Sequence, residues 1–198
     1  MARDLFGLET RPQKLRRRLF LERFATDSYQ NILFSLLQFP AFVQTLLQTN
    51  GDGDSGAGAT ANAFSTPNSG ARSNAFPSKL VIISHEFKRA RFENLHLPAM
   101  KWHGQTRYIG INPPFDQQRM VEIEQGDRKR GYGAWEKDLY GNGSLLCQKR
   151  LSRGYDLKKV HDQVLQYYDE ETKRTLVELL SWNGSSIKEV FPKPLPWE

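Results

Sequence analysis

Tyr29, Ile32, Leu33, Leu36 and Leu37 fall at i, i+3, i+4, i+7 and i+8, a spacing that gathers them on one stripe of an α-helix. A helix with such a stripe must bury it against another layer, so the chain has to fold around a core. Asp27, with Gln30 three residues on, supplies a capping-box start. Pro40 is expected to end or kink the helix, because proline lacks the amide proton and its ring crowds the preceding turn. Just upstream, Leu19, Phe20 and Leu21 form a short apolar run between Arg18 and Glu22, the pattern of a buried parallel strand.

The same order returns further along. From 49 to 78 the composition falls to Gly, Ala, Ser, Asn, Thr and Asp, too poor in apolar side chains to offset the entropy of ordering, so this stretch reads as a flexible, disordered insertion. After it, Leu80 to Ile83 read as a fully buried strand, Glu86 onward as a helix that Pro98 bends or stops, and TRYIGI as a third strand. Strand, helix, strand, helix, strand is the order of a doubly wound sheet. The expected class is therefore α/β, a Rossmann-like parallel sheet with flanking helices.

Beyond NPPFD, whose prolines force an extended or turning loop, residues 117–130 read as a highly charged helix. GYGAWEKDLYGNGS then reads as a glycine-punctuated loop with aromatic anchors. Two more helices follow. One starts at Asp156 with Leu157, Val160 and Val164 on a face; the other is capped by Asp169, carries Glu170 and Glu171 in its first turn and Leu176, Leu179 and Leu180 as its stripe, and stops at Asn183 and Gly184. The tail FPKPLPWE cannot be helical with three prolines, and its Phe191 and Trp197 are expected to pack onto the domain. Residues 1–17 are a charged lead-in, 18–198 one domain, and no internal repeat is visible.

A chain of 198 residues with 38% apolar and 25% charged content is one ordinary soluble domain with tails. Lys and Arg outnumber Asp and Glu by 28 to 22, a net +6 that favours anionic partners without choosing among nucleotides, nucleic acid and acidic membranes. The single cysteine, Cys147, leaves no intramolecular disulfide and no thiolate cluster, which suits a reducing compartment. No apolar stretch approaches the length of about 20 residues needed to cross a bilayer, and MARDLFGLET lacks the apolar core of a secretion signal. A cytoplasmic location without a membrane span is expected. The Asn-Gly-Ser triplets at Asn142 and Asn183 then read as turn residues.

Parallel α/β sheets bind ligands at the carboxyl ends of their strands. That rule selects Glu22 with the turn to Asp27, Ser28 and Asn31; then Ser84 and His85 with the next helical turns; then Asn112 to Asp116. At the second of these, Lys88, Arg89 and Arg91 crowd a helix start, where the macrodipole disfavours each cation by roughly 0.3–1 kcal/mol. Either Glu86, Glu22 or Asp27 are their structural partners, or solvent screens them, or backbone donors with Lys88 and Arg91 receive a phosphate, carboxylate or similar anion. Glu22 and Asp27 read as a loop anchor and a cap rather than an acid–base pair. His85, His96 and His103, with Met100, approach a metal-binding spacing, but Pro98 breaks the register and no metal is assigned. A rival reading uses KLRRR, FKRARF and DRKR as a basic interaction surface for nucleic acid or protein. No recognised nucleic-acid motif accompanies them, so no specific nucleic acid is expected.

The stretch LERFATDSYQNILFSLLQF, followed by ISHEFKRARFENLH, YIGINPP, WEKDLYG and a closing LPWE, resembles the fungal branch of the YdcF-like proteins. That Rossmann-like family is of largely unknown function and includes the bacterial SanA and ElyC envelope proteins. The likeness covers residues 18–198 apart from the insertion. The broader family's Glu-x-x-Ser-x-x-Thr-x-x-Asn turn falls on Glu22, Ala25, Ser28 and Asn31, so Ala25 has lost a hydroxyl and Ser28 keeps one. Its later Tyr-His turn with a following Arg falls on Phe87, Lys88 and Arg91, so a lysine replaces the histidine. A histidine base is thereby put in doubt at that position, and anion binding is not.

The resulting expectation is a small anionic or nucleotide-like ligand at Glu22, Asp27, Ser28, Asn31, Ser84, Lys88 and Arg91. S-adenosylmethionine is suggested by fold analogy and no reaction is named. The resemblance also implies a strand, a glycine-containing loop and a second strand before residue 18. The chain is accordingly expected to be the carboxyl part of a longer protein, incomplete at its amino end, self-associating through an uncovered sheet or inactive as a fragment.

Overall fold

The computed structural model describes residues 18–49, 76–184 and 189–198; the readings of 1–17 and 50–75 lie outside them. The apolar stripe forms helix α1, Ser28–Thr49, which buries Tyr29, Ile32, Leu33, Phe34, Leu36 and Leu37. Asp27 caps it by accepting the Gln30 amide at 2.8 Å. Gln30 reaches back one residue beyond the cap, where its Oε1 accepts the Thr26 amide (2.9 Å) and hydroxyl (2.7 Å). Pro40 does not end α1 but lies inside it. The turn before it is braced from the side, with Gln38 Nε2 donating to the Phe34 carbonyl (2.9 Å) and Tyr168 Oη to that of Leu37 (2.7 Å).

The run Leu19 to Leu21 forms no strand. Leu19 and Leu21 are 47% and 57% exposed, and the partly buried Phe20 packs on Phe42. A strand exists only through its ladder partners, and none pairs with this segment among the described residues.

Strand β1, Lys79–Ser84, and strand β2, Gln105–Gly110, pair in parallel from Lys79 opposite Gln105 to Ser84 opposite Gly110. Among the described residues the sheet has these two strands. Helix α2, residues 86–99, makes the crossover. It combines a 3-10 turn (Glu86–Lys88), an α turn (Arg89–Arg91), a π segment (Phe92–His96) and a closing α turn (Leu97–Ala99) that contains Pro98. α2 covers one face of the sheet, with Phe92 against Tyr108. The full burial expected of β1 is therefore not found: Val81 and Ile83 are 51% and 65% exposed on the other face, because a parallel sheet is buried twice only when helices cover both sides.

Helix α3 spans residues 117–135, a turn longer than its charge pattern implies, and is again interrupted by a π segment, Arg128–Tyr132. Helix α4, Ser144–Ser152, has no counterpart in the sequence reading. Helices α5, Leu157–Gln163, and α6, Glu170–Ser181, are capped as expected by Asp156 and Asp169, which accept the Lys159 and Thr172 amides. The tail closes the core: Phe191, Leu195 and Trp197 are buried, Phe191 donates its amide to Tyr140 Oη (2.8 Å) and Trp197 Nε1 donates to the Met100 carbonyl (2.8 Å). Among the described residues no helix is long and apolar enough to cross a membrane.

Candidate anion site

Four helices meet at the amino end of α1. Asp27, already the cap, accepts a second bond through Oδ2 from Arg150 Nε on α4 at 2.6 Å; the Arg150 side chain is buried and that of Asp27 is 10% exposed. Arg150 Nη1 donates to Asn142 Oδ1 (2.9 Å), and its guanidinium lies among the rings of Tyr29, Trp135 and Tyr155. Arg91 on α2 pairs through Nη2 with Asp127 on α3, while its Nη1 stands 3.4 Å from Ser28 Oγ. Ser28 Oγ is also 2.8 Å from Nε2 of His96.

Local backbone irregularity serves these contacts. The two π segments begin at the residues directly after Arg91 and Asp127, where the wider helical turn re-aims neighbouring side chains. Gly131 lies under the pair, since a Cβ there would overlap both Arg91 Nη2 and Asp127 Oδ1. Gly141 does the same for Arg150 Nη2 and adopts φ +69°, a left-handed conformation that favours glycine.

His96 is fully buried. Burial, then the charges of Arg91 and Arg150, hold its pKa well below the usual histidine value, so the ring is neutral. Lys88 lies one turn before Arg91, and burial followed by the Arg91 charge pushes its pKa down. Its ammonium stands 5.7 Å from the centre of the Phe87 ring and has no carboxylate partner among the described residues. Arg91 and Arg150 are thus each matched by a carboxylate, Asp127 and Asp27, while Lys88, close enough to feel the Arg91 charge, is matched by none among the described residues. Buried donors without partners concentrate here as well: Arg91 Nε, Arg150 Nη2, Gln30 Nε2 and the Tyr29 and Tyr155 hydroxyls.

The expected residues sort unevenly. Asp27, Ser28 and Arg91 come together, with Lys88 beside them. Arg89 is held by Glu86 (2.6 Å) and Glu93 (3.3 Å), so its charge has structural partners. Glu22 anchors its own loop by accepting the Phe24 and Ala25 amides, and Asn31 is exposed on α1. Ser84 sits at the end of β1 beside Tyr108, whose hydroxyl donates to the His85 carbonyl (2.6 Å). The side chains of Glu22, Asn31 and Ser84 make no hydrogen bond to the cluster. Nor is the carboxyl edge of the strands an open cleft: Asn112 Oδ1 accepts the Glu86 amide (2.9 Å), and the Glu86 carboxylate covers Gly110. The polar cluster instead lies where α2 faces α1.

His96, Asp127 and Arg150 belong to the cluster and were not selected from sequence. His96 carried a signal only as part of a broken metal register, Asp127 was one charge among many, and Arg150 lies on the unanticipated α4. The histidines do not gather, since His103 is exposed and His85 Nδ1 contacts the Ile111 carbonyl at 3.1 Å. Among the described residues no group of three His, Cys, Asp or Glu side chains is arranged to hold a metal. A groove of about 660 Å³ lies elsewhere, lined by Leu97, Trp102, His103 and Thr106. Its charged walls are already engaged, Glu93 with Arg89 and Lys101 with Glu198 at 3.1 Å. No family model matches the chain, and no curated protein or solved structure matches it.

Proposed function

We propose that this protein is a Rossmann-like domain, related to the YdcF-like family, that binds a small phosphate-bearing ligand beside Ser28 and Arg91, with Lys88 one helical turn before Arg91. The observation that carries this reading is the uncompensated charge. Lys88 is a partly buried cation with no carboxylate partner among the described residues, and burial followed by the Arg91 charge lowers its pKa. An arrangement that costs free energy without a ligand regains it when an anion arrives. A nucleotide-like ligand such as S-adenosylmethionine rests on fold analogy alone.

Calorimetric titration of the protein with inorganic phosphate tests the reading. Saturable binding is expected, weakened about tenfold in Lys88→Ala. The melting temperature of that variant should change little, because among the described residues the ammonium makes no ion pair and stands 5.7 Å from the centre of the Phe87 ring. Absence of saturable binding by the parent protein overturns the reading. If RNA or DNA binds instead, with affinity falling steeply as salt rises, the exposed Arg128, Lys129 and Arg130 become the relevant surface.

A further inference from the structure

We infer that Ser28 is a hydrogen-bond donor to the bound anion rather than a nucleophile, and that the buried His96 is the positioning residue that aims it. This rests on the anion reading above and assigns its third donor. A serine oxygen 2.8 Å from an imidazole nitrogen invites the opposite assignment, in which the ring takes the hydroxyl proton and the oxygen attacks a substrate. The two assignments require different tautomers. A base needs Nε2 bare and the proton on Nδ1; a positioning donor needs Nε2–H aimed at Ser28 Oγ and Nδ1 bare.

The surroundings select the second. Nδ1 is buried and has no hydrogen-bond partner, and the ring is enclosed by Tyr29, Phe92 and Trp135. A proton on Nδ1 would be a buried donor with nothing to receive it, the costliest kind of orphan. A histidine that activates a serine is also oriented by a third group. Here the nearby carboxylates, Asp27 and Asp127, are committed to Arg150 and Arg91. Both arginines, moreover, oppose the imidazolium that a general base must become.

With Nε2–H donating, and Arg91 Nη1 directed at the same oxygen from 3.4 Å, both lone pairs of Ser28 Oγ are engaged. The hydroxyl proton is left over, and no acceptor for it stands among the described residues. Ser28 is partly exposed, so the proton is available to a ligand. Lys88, Arg91 and Ser28 then form a donor-only set. Its occupant is an acceptor-rich oxyanion, an ionised phosphate group in particular.

Three measurements on the full chain test this. Nitrogen-15 spectra of the histidine side chains are expected to show His96 as the Nε2–H tautomer; a proton on Nδ1 overturns the inference. In phosphate titrations Ser28→Ala is expected to weaken binding about tenfold. His96→Gln, whose side-chain amide replaces the Nε2–H donor, should stay within about threefold of the parent. Parent-like affinity in Ser28→Ala, or a loss in His96→Gln as large as that in Ser28→Ala while the variant melts cooperatively, overturns it. A fluorophosphonate probe is expected to leave Ser28 unmodified, and covalent labelling there overturns the inference. If the parent itself fails to bind phosphate, the anion reading fails, while the tautomer and the labelling still separate donor from nucleophile.

Discussion

His96 ties the stability of the fold to pH. Its folded pKa is lowered, first by burial and then by Arg91 and Arg150, so the contribution is fully present above the unfolded value near 6.5. It is lost as pH falls, because the unfolded chain takes up a proton that the folded one refuses. The loss approaches about 1.4 kcal/mol per pH unit below that value. Urea denaturation at pH 7 and pH 5 should show a smaller difference in His96→Gln than in the parent; equal differences would assign the slope to other groups. Arg150→Met tests the neighbouring pair. It strands the Asp27 carboxylate in the interior, so a destabilisation of about 3–5 kcal/mol is expected, and adding Asp27→Asn should recover much of it while keeping the cap. At this scale Asp27, Ser28 and Arg91 were legible because caps and cation runs are local patterns. Asp127 and Arg150 were not, since their partners lie 36 and 123 residues away and a contact so remote leaves no trace in its own stretch of sequence.

Among the elements, those with a strong period were readable. α1 and α6 announced themselves by apolar stripes, and three aspartate caps fell where the pattern placed them. α4 was missed for a physical reason: its buried positions are Leu146 and Arg150, so half of its inward face is a cation that a hydrophobic period cannot register. The opposite error arose at Leu19 to Leu21, where apolar composition was present without a ladder partner among the described residues to make a strand. The joint between β2 and α2 offers a test at this level. A Cβ on Gly110 would overlap the Glu86 carboxylate and stand 2.8 Å from Glu86 Cα, a backbone atom that cannot swing away. Gly110→Ala is therefore expected to cost about 1–3 kcal/mol and to lower the thermal midpoint. An unchanged melt would mean that the strand end and α2 are less tightly joined than their contacts imply.

Over the whole molecule, the α/β character was legible from the alternation of apolar runs and helical stripes, and the described residues form a two-stranded parallel sheet flanked by helices. The distribution of burial was not. β1 read as buried on both faces, yet Val81 and Ile83 lie on an exposed one, since an apolar run states a preference and the layers around it decide whether that preference is met. The tail behaves as part of the core, with Phe191 fully enclosed between Trp182 and Tyr140. Phe191→Ala should therefore destabilise the entire fold by about 3–5 kcal/mol in denaturant titration, rather than merely loosening the carboxyl end. On this framework we propose that α1 and α2 present one anion site. A phosphate titration followed by backbone amide spectra tests it most directly. Saturable shifts at Ser28, Tyr29, Lys88 and Arg91 are predicted; no saturable shift, or shifts confined to the groove around Trp102 and His103, would contradict it.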